Sequence, residues 1–288
     1  MKVRAAKRAG FCFGVKRAID IAFKVAEEKK GGVCTLGPII HNPQVVEKLD
    51  AAGVQPIEDL EALKRIGKVS AVIVRTHGIP ETDMGRLSDE GYDIIDATCP
   101  FVKKAQYYAK LLREEGYRVI ILGDREHPEV KGLMDYAGDG VVVLSRPEDF
   151  PAARGRRLGI VVQTTQQVEN LRRLVAFLVG RTKELKVYNT ICNSTALRLK
   201  ETEEIARESD VMVVVGGKNS ANTTQLAKLC ASLGVRTHHI ETAGEIWEEW
   251  FHGSERVGLT AGASTPDWII NEVKNRIHDM GGCVCNGT

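Results

Sequence analysis

The sequence predicts an α/β fold of three repeated units with mainly parallel sheets, related as a trefoil by pseudo-threefold symmetry. Three observations carry that expectation. Segments opening on a cysteine recur at intervals of 87 and 93 residues: Cys12-Phe-Gly-Val-Lys-Arg-Ala, Cys99-Pro-Phe-Val-Lys-Lys-Ala and Cys192-Asn-Ser-Thr-Ala-Leu-Arg. Each leads into a short apolar run that ends in glycine, and the three glycines fall 25, 24 and 24 residues beyond their cysteines. Strand-like and helix-like stretches then alternate along the whole chain, as parallel sheets with helices on their faces require.

Each element follows from its residues. The first helix is signalled by Val15, Ala18, Ile19 and Ala22, and the second by Val102, Ala105, Ala109 and Leu112, both at helical spacing. The third carries a looser stripe of Leu197, Leu199, Ile205 and Ala206. The apolar runs Val33 to Gly37, Val119 to Gly123 and Val211 to Gly216 read as buried strands with a glycine turn. A polar residue follows each turn, namely His41, His127 and Ser220, and a further helical stretch comes next, such as Val45 to Ala52 or Asn222 to Leu233. Second strands at Ala71 to Arg75, Gly159 to Gln163 and Arg256 to Thr260 deliver His77, Thr164 and Ser264. Tyr92 to Asp96 and Leu185 to Asn189 are extended pieces that precede the next cysteine.

The units expected from this repeat are 13–98, 99–191, and 192–282 together with 1–12, leaving 283–288 as a C-terminal tail. In parallel sheets, functional residues collect at the carboxyl ends of strands. The three cysteines and the two rings of polar residues occupy such positions, so they are expected to converge on one centre.

Composition excludes several classes. Lys and Arg number 40 against 38 Asp and Glu, and aromatic residues make up 6%, so no field or stacking platform favours nucleic acid. The basic start is followed by Gly10-Phe-Cys-Phe-Gly rather than a signal-peptide core, and no apolar run is long enough to span a bilayer. A cytoplasmic protein with no membrane or nucleic-acid partner is expected. No phosphate-binding loop of the P-loop or dinucleotide type follows a strand.

An odd count of seven cysteines points to thiolate chemistry rather than a disulfide framework. Single cysteines about 90 residues apart match neither zinc-finger pairs nor ferredoxin runs. A helix start stabilises thiolate and suits an anionic group. Cys12, Cys99 and Cys192 can therefore hold a 4Fe–4S cluster with one iron left open, or a zinc ion with a water. The first arrangement suits a reductase or a redox sensor, the second a hydrolase. Cys34 and Cys230 lie inside apolar elements and read as packing, whereas Cys283 and Cys285 lie in the expected tail.

The histidine and hydroxyl rings, with Thr165 and Asn222 beside them, are donors of the kind that hold a diphosphate. Glu129 stands two residues beyond His127, where the other repeats have Pro43 and Asn222, and is the one carboxyl available there to deliver protons.

Gly10-Phe-Cys-Phe-Gly-Val, Ile40-His-Asn-Pro, Arg75-Thr-His-Gly, Asp96-Ala-Thr-Cys-Pro, Glu126-His-Pro-Glu, Gln163-Thr-Thr, Asn189-Thr-Ile-Cys, Lys218-Asn-Ser and Ala261-Gly-Ala-Ser-Thr-Pro run through nearly the whole chain. Together they closely resemble the 4-hydroxy-3-methylbut-2-enyl diphosphate reductase family. The resemblance implies a trefoil of three α/β domains around a central 4Fe–4S cluster on Cys12, Cys99 and Cys192. It implies reductive removal of an allylic hydroxyl, giving isopentenyl and dimethylallyl diphosphates, as the last step of the methylerythritol phosphate route to isoprenoids. His41, His77, His127, Thr164, Thr165, Ser220, Ala221, Asn222 and Ser264 would bind the diphosphate substrate. Glu129, with His127 and Thr164, would serve catalysis by relaying protons. Ala221 departs from the family pattern, which has serine there in some members, so a backbone N–H would replace a hydroxyl. The implied partner is a ferredoxin or flavodoxin as electron donor, and a monomer is expected.

Overall fold

The structure is a computed structural model that describes residues 1–150 and 157–286. Residues 287 and 288 of the expected tail lie outside the described residues. In chain order, β1 (Lys2–Ala5) comes first, and the first repeat then contributes α1 (Phe13–Lys29), β2 (Val33–Leu36), α2 (Pro43–Ala51), β3 (Val54–Ile57), α3 (Leu60–Ile66), β4 (Ala71–Val74), α4 (Glu81–Asp89) and β5 (Ile94–Asp96). The second runs through α5 (Pro100–Glu114), β6 (Arg118–Leu122), α6 (Pro128–Ala137), β7 (Val142–Leu144), β8 (Arg157–Val162), α7 (Val168–Val179) and β9 (Glu184–Val187). The third comprises α8 (Asn193–Arg207), β10 (Val211–Val215), α9 (Ala221–Ser232), β11 (Arg236–Ile240), β12 (Arg256–Ala261), α10 (Asp267–Asp279) and β13 (Cys283–Asn286).

These strands make three wholly parallel sheets, in the orders β3-β2-β4-β5, β7-β6-β8-β9 and β11-β10-β12-β1-β13. Apart from β13, one order is written three times, with the N-terminal strand β1 completing the third sheet. The expected parallel α/β units are therefore present. Residues Cys283–Asn286, read from the sequence as a tail, instead form an edge strand in register with Lys2 to Ala5. Their run is too short to announce a strand, and a neighbouring edge supplies the hydrogen bonds that define it.

The chain divides into two compact units. One comprises Met1–Lys16, Ile40–Glu47 and Asn193–Thr288 and holds the five-stranded sheet; the other comprises Arg17–Ile39 and Lys48–Cys192 and holds both four-stranded sheets. The central strands β4 and β10 are buried along their whole length, which is why they read as unbroken apolar runs. Pro100 and Pro128 open α5 and α6 at positions where a missing N–H costs nothing.

Helix faces mostly follow the expected stripes, since Ala18, Ile19, Ala22, Val102, Ala105, Ala109 and Leu112 are buried. Helix α8 differs. Leu197 is exposed, and the buried face is Thr195, Arg198, Thr202, Ile205 and Ala206. Polar contacts of Arg198 and Thr202 join the apolar packing of Ile205 and Ala206 on that face.

Candidate functional site

The strand order places a topological switch point between β2 and β4, and likewise between β6 and β8 and between β10 and β12. Connections leave such neighbouring strands in opposite directions and open a crevice at their carboxyl ends. The loops after these six strands carry His41, His77, His127, Thr164, Thr165, Ser220 and Ser264.

One hydrogen bond repeats in all three sheets. The backbone N–H of Cys99 donates to Thr76 O (3.0 Å), that of Cys192 to Thr164 O (2.9 Å), and that of Cys12 to Ala263 O (3.2 Å). Each cysteine is thereby pinned to the end of a central strand at the start of a helix, α5, α8 and α1 respectively. All three are half-buried. Cys34 and Cys230 are buried, and desolvation pushes their thiols up, that of Cys230 to about 11. The two classes of cysteine thus differ in environment, and only the first is suited to ligation.

The same register revises one equivalence. Counting from the cysteines sets Thr164 beside His77 and Ser264, but the shared acceptors are Thr76, Thr164 and Ala263. Thr165 is therefore the counterpart of His77 and Ser264. Loop length causes the difference, because the acceptors lie 39, 41 and 47 residues beyond Gly37, Gly123 and Gly216.

In the larger unit, His127 caps α6, and its Nδ1 accepts from the Glu129 N–H at 3.2 Å. That acceptor role leaves Nε2 to carry the proton of the neutral ring. The rings of His77 and His127 meet edge to face, with centroids 5.2 Å apart. Glu129 is 2% exposed, and its carboxylate accepts from the Thr164 N–H (2.7 Å) and the Thr164 hydroxyl (2.8 Å). Burial pushes the Glu129 carboxyl up from 4.5 to about 7, against the opposing pull of those two hydrogen bonds. A carboxyl poised at neutral pH beside a hydroxyl can give and recover a proton.

In the other unit, Ser220 caps α9, its Oγ accepting from the Thr223 N–H. The Ser264 hydroxyl lies 3.5 Å from Ser220 Oγ and from His41 O. Asn222 accepts from the Ala263 N–H at 2.9 Å, while its Nδ2 is buried without a hydrogen-bond partner. A buried amide donor left unmatched is costly unless a ligand completes it. Ala221 opens α9 and offers only its backbone N–H. A Cβ at Gly217 would stand 2.7 Å from His41 O, so the close approach of these two backbones requires glycine.

The structure adds residues that the repeat does not announce. Arg198, buried on α8, donates to the carbonyls of Arg8, Gly10 (2.9 Å) and Ala261 (2.8 Å). It shapes the loop before Cys12, the point where this repeat departs from the other two. Arg17 donates to the carbonyls of Asp96 and Thr98, next to Cys99. Asp96 and Asn189 each accept the N–H two residues on, at 2.9 and 3.2 Å, forming the same turn three residues before Cys99 and Cys192. An Asx residue at a fixed distance from two of the cysteines was the available signal for that turn. An arginine inside a helical core stripe was the signal for Arg198.

Fold and site define a class: parallel α/β units with ligand-capable thiols and neutral hydrogen-bond donors set at their strand ends. Within it, the chain belongs to the LytB protein family, which matches residues 3–278. A relative from Pelobacter propionicus named 4-hydroxy-3-methylbut-2-enyl diphosphate reductase is 50% identical, the match covering 97% of this chain and 99% of the relative. One of the same name from Geobacter sulfurreducens is 49% identical over 97% of this chain and 98% of its own. A solved structure of (E)-4-hydroxy-3-methyl-but-2-enyl diphosphate reductase, the terminal enzyme of the non-mevalonate pathway, is 44% identical with a TM-score of 0.72, covering 97% of this chain and 100% of that one. The reductase structure from Plasmodium falciparum, at 24% identity, matches in fold with a TM-score of 0.89, over 100% of this chain and 92% of that one. Among the described residues no helix is long and apolar enough to cross a membrane.

Proposed function

We propose that this chain reduces 4-hydroxy-3-methylbut-2-enyl diphosphate to isopentenyl and dimethylallyl diphosphates, the last step of the methylerythritol phosphate route. The observation that carries the reading is the buried Glu129 carboxyl, raised to about 7 and bonded at both oxygens to Thr164. A reductive dehydroxylation takes up two electrons and two protons for each water released, and needs such a proton donor inside a dry site.

Cys12, Cys99 and Cys192 fit a 4Fe–4S cluster by the chemistry of the donor set. Three thiols stand at helix starts with their N–H groups fixed to strand ends, apart from the two apolar cysteines. When bound, the cluster supplies a Lewis-acidic open iron for the alcohol oxygen and passes on the electrons. The repeat units are read as 13–98, 99–191, and 192–282 with 1–12.

The chain's own residues do the rest. His41, His77, His127, Thr165, Ser220, Asn222, Ser264 and the Ala221 N–H hold the diphosphate, with the unmatched Asn222 Nδ2 as one ready donor. Anchoring that end fixes the alcohol at the far end, a proximity contribution. Glu129 holds the proton at neutral pH, one hydrogen bond from the Thr164 hydroxyl. The Thr164 carbonyl in turn receives the Cys192 N–H, so donor and ligand share one strand end. The His127 Nδ1, engaged by the Glu129 N–H, leaves Nε2–H to face an anionic oxygen. A ferredoxin or flavodoxin delivers the electrons one at a time, and the enzyme works as a monomer in the cytoplasm.

Protein purified without oxygen and supplied with reduced methyl viologen tests this. Oxidation of the dye that depends on the hydroxylated diphosphate, with both five-carbon diphosphates as products, is expected. Dye that stays reduced when substrate is added overturns the reading.

A further inference from the structure

We propose that the exposed face of α5, with Lys186 and Tyr188, is the docking surface for a small acidic one-electron carrier protein. This rests on the reductase reading, which requires a donor of electrons but does not say where it binds.

The surface begins at Cys99, whose helix presents Phe101 and Tyr107, 37% and 62% exposed. Scattered exposed aromatics are ordinary, but here the rings form a series. Tyr107 meets Tyr108 edge on at 5.4 Å, and Tyr108 stacks flat on Tyr188, with centroids 3.9 Å apart and planes 10° apart. Tyr188 lies four residues before Cys192 in the chain. The series thus leads from an exposed ring to the backbone segment of one proposed ligand, on a helix that starts at another. All of these residues belong to one compact unit.

Cations frame the rings. Lys104 Nζ lies 5.8 Å from the Tyr108 ring centre, and Lys186 Nζ lies 5.5 Å from Tyr188 and 5.6 Å from Tyr117. Lys103 pairs with Asp96 beside Cys99, Lys186 with Glu115, and Arg17 binds only carbonyl oxygens. Lys104 makes no ion pair among the described residues. On α5 and beside it, Lys103, Lys104, Lys110, Arg113, Lys186 and Arg17 stand against the carboxylates of Glu81, Asp96, Glu114 and Glu115, an excess of two positive charges on a chain whose overall balance is near neutral. A positive patch steers an acidic partner, and transient electron-transfer encounters need only a small contact area.

The experiment uses the anaerobic, cluster-loaded protein and a purified acidic 2Fe–2S ferredoxin as the probe, with affinity read by surface plasmon resonance. Lys104→Glu and Tyr107→Ser are each expected to raise Kd about tenfold, more at low salt for the first. Lys104→Gln should fall between Lys104→Glu and the parent. Lys24→Glu, a charge reversal on α1, should bind like the parent. Turnover driven by reduced methyl viologen, which needs no docking, should be unchanged in all four. Unaltered ferredoxin affinity in Lys104→Glu and Tyr107→Ser, equal weakening by Lys24→Glu, or no binding by the parent protein each overturns the proposal. Absent viologen-driven turnover in the parent would instead sink the reductase reading, because the binding signal does not depend on it.

Discussion

Thr164 donates to Glu129 twice, from its backbone N–H at 2.7 Å and from its hydroxyl at 2.8 Å, so both oxygens of a fully buried carboxylate are held by one residue. The carboxyl is thereby fixed in place while burial keeps it protonated near neutral pH. The same Thr164 passes its carbonyl to the N–H of Cys192. A proposed proton reservoir and a proposed cluster ligand are therefore positioned by a single strand end.

Turnover should follow the protonation of Glu129. It is expected to be level below pH of about 7 and to fall roughly tenfold per unit above it, as the carboxyl empties. Glu129→Gln should retain iron and bind substrate, yet lose most turnover, by about a hundredfold or more. Steady-state rates across pH, with substrate affinity measured separately, check both. Near-normal turnover in the variant would remove Glu129 from the mechanism.

Stability should carry the same signature. Between about 4.5 and 7 the folded chain keeps a proton on Glu129 that the unfolded chain has released, so stability falls as pH rises through that window. At 1.36 kcal/mol per unit, the loss amounts to about 3 kcal/mol above pH 7. Glu129→Gln should flatten this part of the profile. Denaturant melts of parent and variant across the window measure the difference.

Gly78 follows His77 with a φ of +72°, and a Cβ there would meet Gln106 Nε2 at 2.4 Å and Thr98 Cγ2 at 3.3 Å. Gly78→Ala is expected to cost about 1–3 kcal/mol and to shift the His77 ring against His127. Substrate KM should rise more than kcat falls, which steady-state kinetics will show.

Arg198 serves three backbone carbonyls around the loop before Cys12. Arg198→Leu fills similar space but leaves those buried acceptors unmet, and should cost about 3 kcal/mol or more. Chemical denaturation measures the loss, and iron content should fall with it because Cys12 sits at the end of that loop.

Much of this could be read from residue order, for physical reasons. Val211 to Val215 is apolar throughout because it is buried on both faces, and the glycines after β2, β6 and β10 recur because each turn closes the same strand pair. His127 and Ser220, each four residues beyond its glycine, both cap the helix that follows, whereas α2 is capped one residue later, by Asn42 rather than His41. Thr164 and Thr165 were harder to align, since loops of different length intervene before the second strand ends. The buried face of α8 was hidden for another reason. Thr195, Arg198 and Thr202 are buried there, Arg198 bound to three carbonyls and Thr202 to the Thr260 hydroxyl, and hydrophobic periodicity cannot register such contacts. Strand β13 depends on the edge of β1 rather than on its own composition.

The most direct measurement is iron and sulfide content of anaerobically purified protein, compared among the parent and the Cys12→Ser, Cys99→Ser and Cys192→Ser variants. About four iron and four sulfide per chain are expected in the parent, with marked loss in every variant. Full iron retained by any one variant, or zinc in place of iron in the parent, would contradict a single cluster held by the three repeats.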